Sequence, residues 1–119
     1  MDNVPAINPS WDSEVDFAIT VCNESGTIVR MNEKSKSTFQ KENDDDLIGK
    51  NVLECHPPAA REKLGDLLKN HTTNAYTIEK NGQKKLIYQT PWYEQGEFRG
   101  LVELSLILPK DMPHSIRKN

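Results

Sequence analysis

The chain predicts an α+β fold in which two strands, a helical stretch and three further strands follow one another. Three observations predict it. Apolar residues alternate on both sides of the turn cluster Asn23-Glu24-Ser25-Gly26, and Pro57-Pro58 opens a segment with an apolar stripe at helical spacing. Two later turns, at Asn81-Gly82 and Gln95-Gly96, then divide the last third into three β segments.

The first pair of strands rests on a period of two. Phe17, Ile19 and Val21 alternate with Ala18, Thr20 and Cys22, as in a half-buried strand. Gly26 supplies the left-handed backbone the turn needs, and Thr27 to Met31 is the return strand. Asn32 then caps a short helix through about Phe39. The acidic run Glu42-Asn43-Asp44-Asp45-Asp46 precedes a short turn at Leu47-Ile48-Gly49 and suits a helix N-terminus, where free amides favour negative charge. In the longer helix after Pro57-Pro58, Ala60, Leu64, Leu67 and Leu68 form the buried stripe, and Arg61, Glu62, Lys63, Asp66 and Lys69 the wet face. Thr73 to Lys80, Lys84 to Tyr93 and Glu97 to Leu108 are the three later strands. In the middle one Leu86, Tyr88, Thr90 and Trp92 share a parity, and in the last one Val102, Leu104, Leu106 and Leu108 do. Those sets are the more apolar, so they are assigned to the face beneath the helices. Pro91 removes a ladder donor and predicts a bulge.

At 119 residues there is chain for one domain, which the pattern places at residues 17–108 between a leader, 1–16, and a tail, 109–119. The leader carries Pro5, Pro9 and four acids (Asp2, Asp12, Glu14, Asp16), and is either loosely ordered or a short helical cap around Trp11 to Val15. A net charge of −3 disfavours nucleic acid, and there is neither an apolar run of membrane-spanning length nor a signal-like start, so a cytoplasmic location is expected with no membrane partner. Cys22 and Cys55 fit no CxxC pattern, which removes a zinc module and a disulfide framework. There is no GxSxG, HExxH, P-loop or GxGxxG either, and the adjacent Cys55 and His56 would point apart in an extended segment, so no enzyme activity and no metal are expected.

The order of elements and several landmarks resemble the PAS domain family. Gly26-Thr27-Ile28-Val29 with Met31-Asn32 is similar to that family's second strand and the asparagine after it, and Leu47-Ile48-Gly49-Lys50 to its lead towards the long helix. His56-Pro57 is similar to the His-Pro pair many members carry, and Gly96 with Gly100-Leu101-Val102 to the C-terminal hairpin. The resemblance spans Phe17 to Leu108 and implies a five-stranded antiparallel sheet with helices packed on one face. It also implies a cavity between them for a small ligand, sensing or signalling, and frequent homodimers. No effector domain follows in this sequence, so a stand-alone module, bacterial in origin, that signals to a separate protein is the expectation.

Parity and helical spacing nominate Val21, Met31, Phe39, Leu64, Leu68, Tyr88 and Leu104 as cavity lining, with Tyr88 and Thr90 as polar contacts. The alternative is that these side chains fill the space themselves. His56 has two readings, a haem ligand or a ring hydrogen-bonded to backbone where the helix begins. His71 is a haem ligand or simply a histidine at the helix end, where the dipole favours a cation. His114 lies in the tail and is uninformative. A cysteinyl-flavin sensor is disfavoured, because Asn51 to His56 lacks the arginine and phenylalanine of the reactive motif. No bound cofactor is the main reading, with a haem- or flavin-binding redox or gas sensor as one alternative and a ligand-free dimerisation scaffold as the other. Asp44-Asp45-Asp46 lacks the spaced donors of a calcium loop, and Lys80, Lys84 and Lys85 make an ordinary charged hairpin tip. Ile87, Tyr93 and Ile107 stand on the opposite parity, so both sheet faces carry apolar residues. The outer face is expected to be covered by the leader and by a second protomer.

Overall fold

A computed structural model describes residues 10–39, 46–54 and 56–119. Most of the acidic run (Glu42 to Asp45) and Cys55 lie outside the described residues. The elements are a 3₁₀ turn (Trp11–Ser13), β1 (Ala18–Asn23), β2 (Ile28–Met31), α1 (Glu33–Phe39), α2 (Pro58–Asn70), β3 (Asn74–Lys80), β4 (Gln83–Glu94) and β5 (Glu97–Ile107). They build a five-stranded antiparallel sheet in the order β2-β1-β5-β4-β3, so the two hairpins meet where β1 lies beside β5.

Local chemistry sets the turns. Asn23 Oδ1 accepts from the amides of Ser25 and Thr27 (3.0 and 2.9 Å), which folds the chain back into β2. Asn81 and Gly82 have φ of 54° and 75°, and Gln95 and Gly96 have 51° and 80°, the paired positive values of tight hairpin turns. Pro91 takes part in no bulge of its own. It sits where β4 has left β3 behind, since that pairing ends at Gln89, and on this free edge a missing donor costs little. The bulge falls one residue later, between Trp92 and Tyr93.

Residues 46–54 form no helix. Asp46 accepts from the amide of Ile48 (3.0 Å), a short turn follows, and Gly49 to Val52 runs along the first residues of β2. Ile28 N–H donates to the Lys50 carbonyl (2.8 Å) and Val52 N–H to the Gly26 carbonyl (2.8 Å). This seam closes the open edge of the sheet there and carries the chain to His56 and Pro57. Pro57 stands at the N-cap of α2 with Pro58 in its first turn, and α2 ends on His71 in the left-handed conformation (φ 56°). The imidazole of His71 stacks on Phe98 at 3.7 Å, an apolar contact that helps a residue other than glycine hold that position.

The core lies between the sheet and the helices. Cys22, Ile28, Met31, Val52, Leu64, Leu67 and Leu101 pack together, with Leu47, Leu53, Leu68 and Phe98 around them. Leu67 is 1% exposed and anchors α2. The register shows which residues share this face. Thr20, Glu103, Gln89 and Asn74 align across four strands, and Ala18, Ser105, Ile87 and Tyr76 make the adjacent row. The sequence-based assignment of β4 and β5 is therefore inverted. Leu86, Tyr88, Thr90, Val102, Leu104 and Leu106 point away from the helices, as do Ile19 and Val21 of β1. In β4 and β5 the more hydrophobic face is the outer one.

The leader reaches the rim of that outer face. Asp12 pairs with Arg30 at 2.6 Å, and Arg30 shares a register position with Val21. Trp11 stays 58% exposed, so the leader residues described here cover only the β1–β2 end.

Candidate functional site

Between sheet and helices lies a cavity of about 380 Å³. Its sheet wall is Thr20, Cys22, Ile28, Met31, Gln89, Leu101 and Glu103, and its other wall Phe39 of α1, Leu64 of α2, and Leu47, Val52 and His56 from the stretch between them. A second cavity, of about 440 Å³, shares His56, Leu64 and Gln89 with it and is bounded outward by Lys63, Asn74 and Tyr76.

Of the residues nominated from sequence, Met31, Phe39, His56 and Leu64 line the first cavity. Val21, Tyr88, Thr90 and Leu104 do not, because the register turns them to the outer face. Thr90 there bonds Thr73, hydroxyl to hydroxyl, at 2.8 Å. Leu68 packs beside the core and against the turn at Gly26 instead of lining the space. Sequence reasoning missed Thr20, Cys22, Gln89, Leu101 and Glu103. The available signal was the polar pair Gln89 and Glu103, each in the middle of a long strand and neither at a turn.

That pair begins a relay across three strands. Asn74 Nδ2 donates to Gln89 Oε1 (3.0 Å), and Gln89 Nε2 donates to Glu103 Oε2 (2.7 Å). A carboxylate only accepts, so Glu103 fixes the orientation of the Gln89 amide, which in turn fixes that of Asn74. Gln89 is 3% exposed, and this satisfied relay is what lets an amide stand in the interior. On the opposite side Thr20 and Ser35 share a 2.6 Å hydroxyl bond that ties α1 to β1.

The two reactive side chains are held in quiet states. Burial, more than any other influence, pushes the Cys22 thiol up from its ordinary value; a backbone hydrogen bond from Leu101 opposes this and the charge of Glu103 adds to it. Cys22 is a neutral thiol at physiological pH, the wrong form for a nucleophile. Tyr76 at the second cavity is likewise raised, first by burial and then by Glu103. His56 Nδ1 bonds the Val52 carbonyl at 2.7 Å, the backbone contact anticipated for a histidine where a helix starts. His71 lies against Phe98 and lines neither cavity. Among the described residues no group of three or more His, Cys, Asp or Glu side chains is placed to hold a metal, and no helix is long and apolar enough to cross a membrane.

A five-stranded antiparallel sheet with helices over one face encloses a cavity of small-molecule size between them. The sequence profile of the PAS domain family matches residues 16–91, and the chain belongs to that family of sensory and signalling modules. No curated protein sequence matches it significantly. Solved structures repeat the fold. The PAS domain of the histidine kinase ThkA is similar over 76% of this chain and 97% of its own, with 15% identity and a TM-score of 0.60. A sensory box sensor histidine kinase from Vibrio cholerae is similar over 82% and 86%, with 20% identity and a TM-score of 0.58. VqmA bound to DPO is similar over 85% of this chain and 56% of its own, with 12% identity and a TM-score of 0.65.

Proposed function

We propose that this PAS domain is a non-enzymatic sensory module that binds a small molecule between sheet and helices and pairs with a second copy through the outer sheet face. The observation that carries this reading is the inverted polarity of the sheet. Gln89 and Glu103 stand in the interior beside a cavity, while Leu86, Tyr88, Val102, Leu104 and Leu106 face outward. A few fixed polar groups beside an otherwise largely apolar space are what a small-molecule site offers. Tyr88 is exposed and the leucines and Val102 beside it are half-buried, a partly open apolar face that a protein partner would cover. One structural relative agrees in kind: VqmA has been seen with DPO bound, and VqmA of Vibrio cholerae as a dimer.

The two faces share their strands. Thr20 and Glu103 wall the cavity, and their chain neighbours Ile19, Val21, Val102 and Leu104 form the outer face. A ligand that favours one arrangement of β1 and β5 therefore shifts the population of outer-face geometries, and a separate signalling protein reads the shift. Native mass spectrometry with an absorbance spectrum on freshly purified protein tests this. A dimer mass at tens of micromolar is expected, with any retained ligand as added mass and no visible band. A strict monomer contradicts the pairing, and a Soret or flavin band would replace the reading with a cofactor-bearing sensor.

A further inference from the structure

The cavity carries a charge whose partner is missing among the described residues. Glu103 Oε2 accepts from Gln89 Nε2, and no described cation lies within salt-bridge distance of this carboxylate. Lys63 bounds the second cavity but not the first. The relay engages the Gln89 amide at both ends, Oε1 with Asn74 and one Nε2 hydrogen with Glu103, and so holds its nitrogen towards Glu103. Besides Thr20 (the register partner of Glu103), Cys22, Gln89 and His56, the wall of this space is apolar, with Met31, Val52, Leu64 and Leu101 among its residues.

We propose that the cavity selects a small, largely apolar molecule that presents a nitrogen-borne hydrogen-bond donor, preferably cationic, to the free oxygen of Glu103. This deepens the preceding proposal and rests on its reading of the cavity as a ligand site. Four features support it. A carboxylate only accepts, so its partner must donate. A cationic donor adds the attraction of opposite charges to the hydrogen bond, so it outranks an uncharged one. An anion brought here would meet Glu103, and no lysine or arginine among the described residues lines the cavity to compensate it. At about 380 Å³ the space is at the small end of ligand pockets, which suits one or two rings.

Three probes that share a ring and differ in the head group test the idea: benzamidine, benzyl alcohol and benzoate, titrated into ¹⁵N-labelled protein to about 10 mM, well above a millimolar Kd. Benzamidine is expected to shift the amides of Gln89, Leu101 and Glu103 and to bind at least about tenfold more tightly than benzoate, the scale of one charge-assisted hydrogen bond. In Glu103→Gln the preference is expected to fall to about threefold or less, with benzyl alcohol affinity unchanged. The amide oxygen at 103 still accepts from Gln89, so the relay survives the substitution. Benzoate binding as well as benzamidine in the wild-type protein overturns the proposal even if the variant does not fold. A preference that survives in a folded Glu103→Gln also overturns it, as do shifts confined to surface carboxylates. Binding of the ring without discrimination between heads sinks this inference alone. Failure of all three probes to move any cavity amide sinks the ligand-site reading along with it.

Discussion

Asn32→Ala is expected to destabilise the domain by about 3 kcal/mol, which for a chain of this size lowers Tm by about 10 °C. Asn32 is 3% exposed and all four of its side-chain hydrogen-bonding positions are used. Oδ1 accepts from the amide of Ile19 (2.9 Å) in β1 and from that of Ser35 (3.0 Å) in the first turn of α1. Nδ2 donates to the carbonyls of Asp12 and Phe17, each at 2.9 Å. One amide thus joins the leader, the first strand and the first helix. Alanine removes the cap, worth about 1 kcal/mol, and leaves a buried strand amide and two carbonyls short of partners. Asn32→Asp separates this from ordinary capping. Aspartate and asparagine are about equal at most helix N-caps. Here aspartate would keep the cap but set a carboxylate oxygen against two carbonyls, so thermal melts should show little rescue. A full rescue would mean that the leader contacts contribute nothing.

Gly100→Ala is expected to cost at least about 3 kcal/mol, at the upper end of what overpacking a core produces. Gly100 has φ 146°, a conformation that side chains oppose, and it faces Asn23 of β1 and Trp92 of β4 in register. A Cβ there would overlap the carbonyl oxygen of Cys22 and lie 2.7 Å from the carbonyl carbon of Asn23. Both atoms are backbone, so no rotamer change relieves the clash and β1 must part from β5. The same Cys22 carbonyl accepts the indole N–H of Trp92 at 3.0 Å, and that bond is lost as the strands separate. Chemical denaturation should therefore show a lower midpoint together with altered tryptophan fluorescence. A midpoint within 0.5 kcal/mol of the wild type, the range of an ordinary surface substitution, would show that the two strands are not locked at this residue.

The parts of the fold that were legible in the sequence are those fixed by neighbours in the chain. Asn81-Gly82 and Gln95-Gly96 announce their turns because few residues take positive φ twice in succession. Pro57-Pro58 and the leucine spacing announce α2, and Asn32 announces α1. The orientation of the sheet was not legible, because hydropathy assigns the greasier parity to the core. In β4 and β5 that parity holds Leu86, Tyr88, Val102, Leu104 and Leu106, against Ile87, Gln89, Leu101, Glu103 and Ser105 on the true inner face. Two strands whose outward parity is the greasier, and whose inner parity carries polar groups, defeat that rule. The lining residues Val21, Tyr88 and Leu104 were misplaced for this one reason. The seam between Gly49–Val52 and the start of β2 was also hidden, since it depends on pairing Thr27 with Asn51 across an intervening helix.

The roles of the two sheet faces are tested most directly by placing the same charge on each side of β5. Leu101 is 4% exposed beneath the helices, whereas Leu104, three positions along, lies between Ile19 and Tyr88 on the outer face. Sedimentation velocity and near-ultraviolet circular dichroism on Leu104→Glu and Leu101→Glu compare them. Leu104→Glu is expected to keep the native spectrum and sediment as a monomer where the wild type sediments as a dimer, and Leu101→Glu to lose the native spectrum. A folded, fully dimeric Leu104→Glu, or one that unfolds as readily as Leu101→Glu, would contradict the assignment of the outer face to a second protomer.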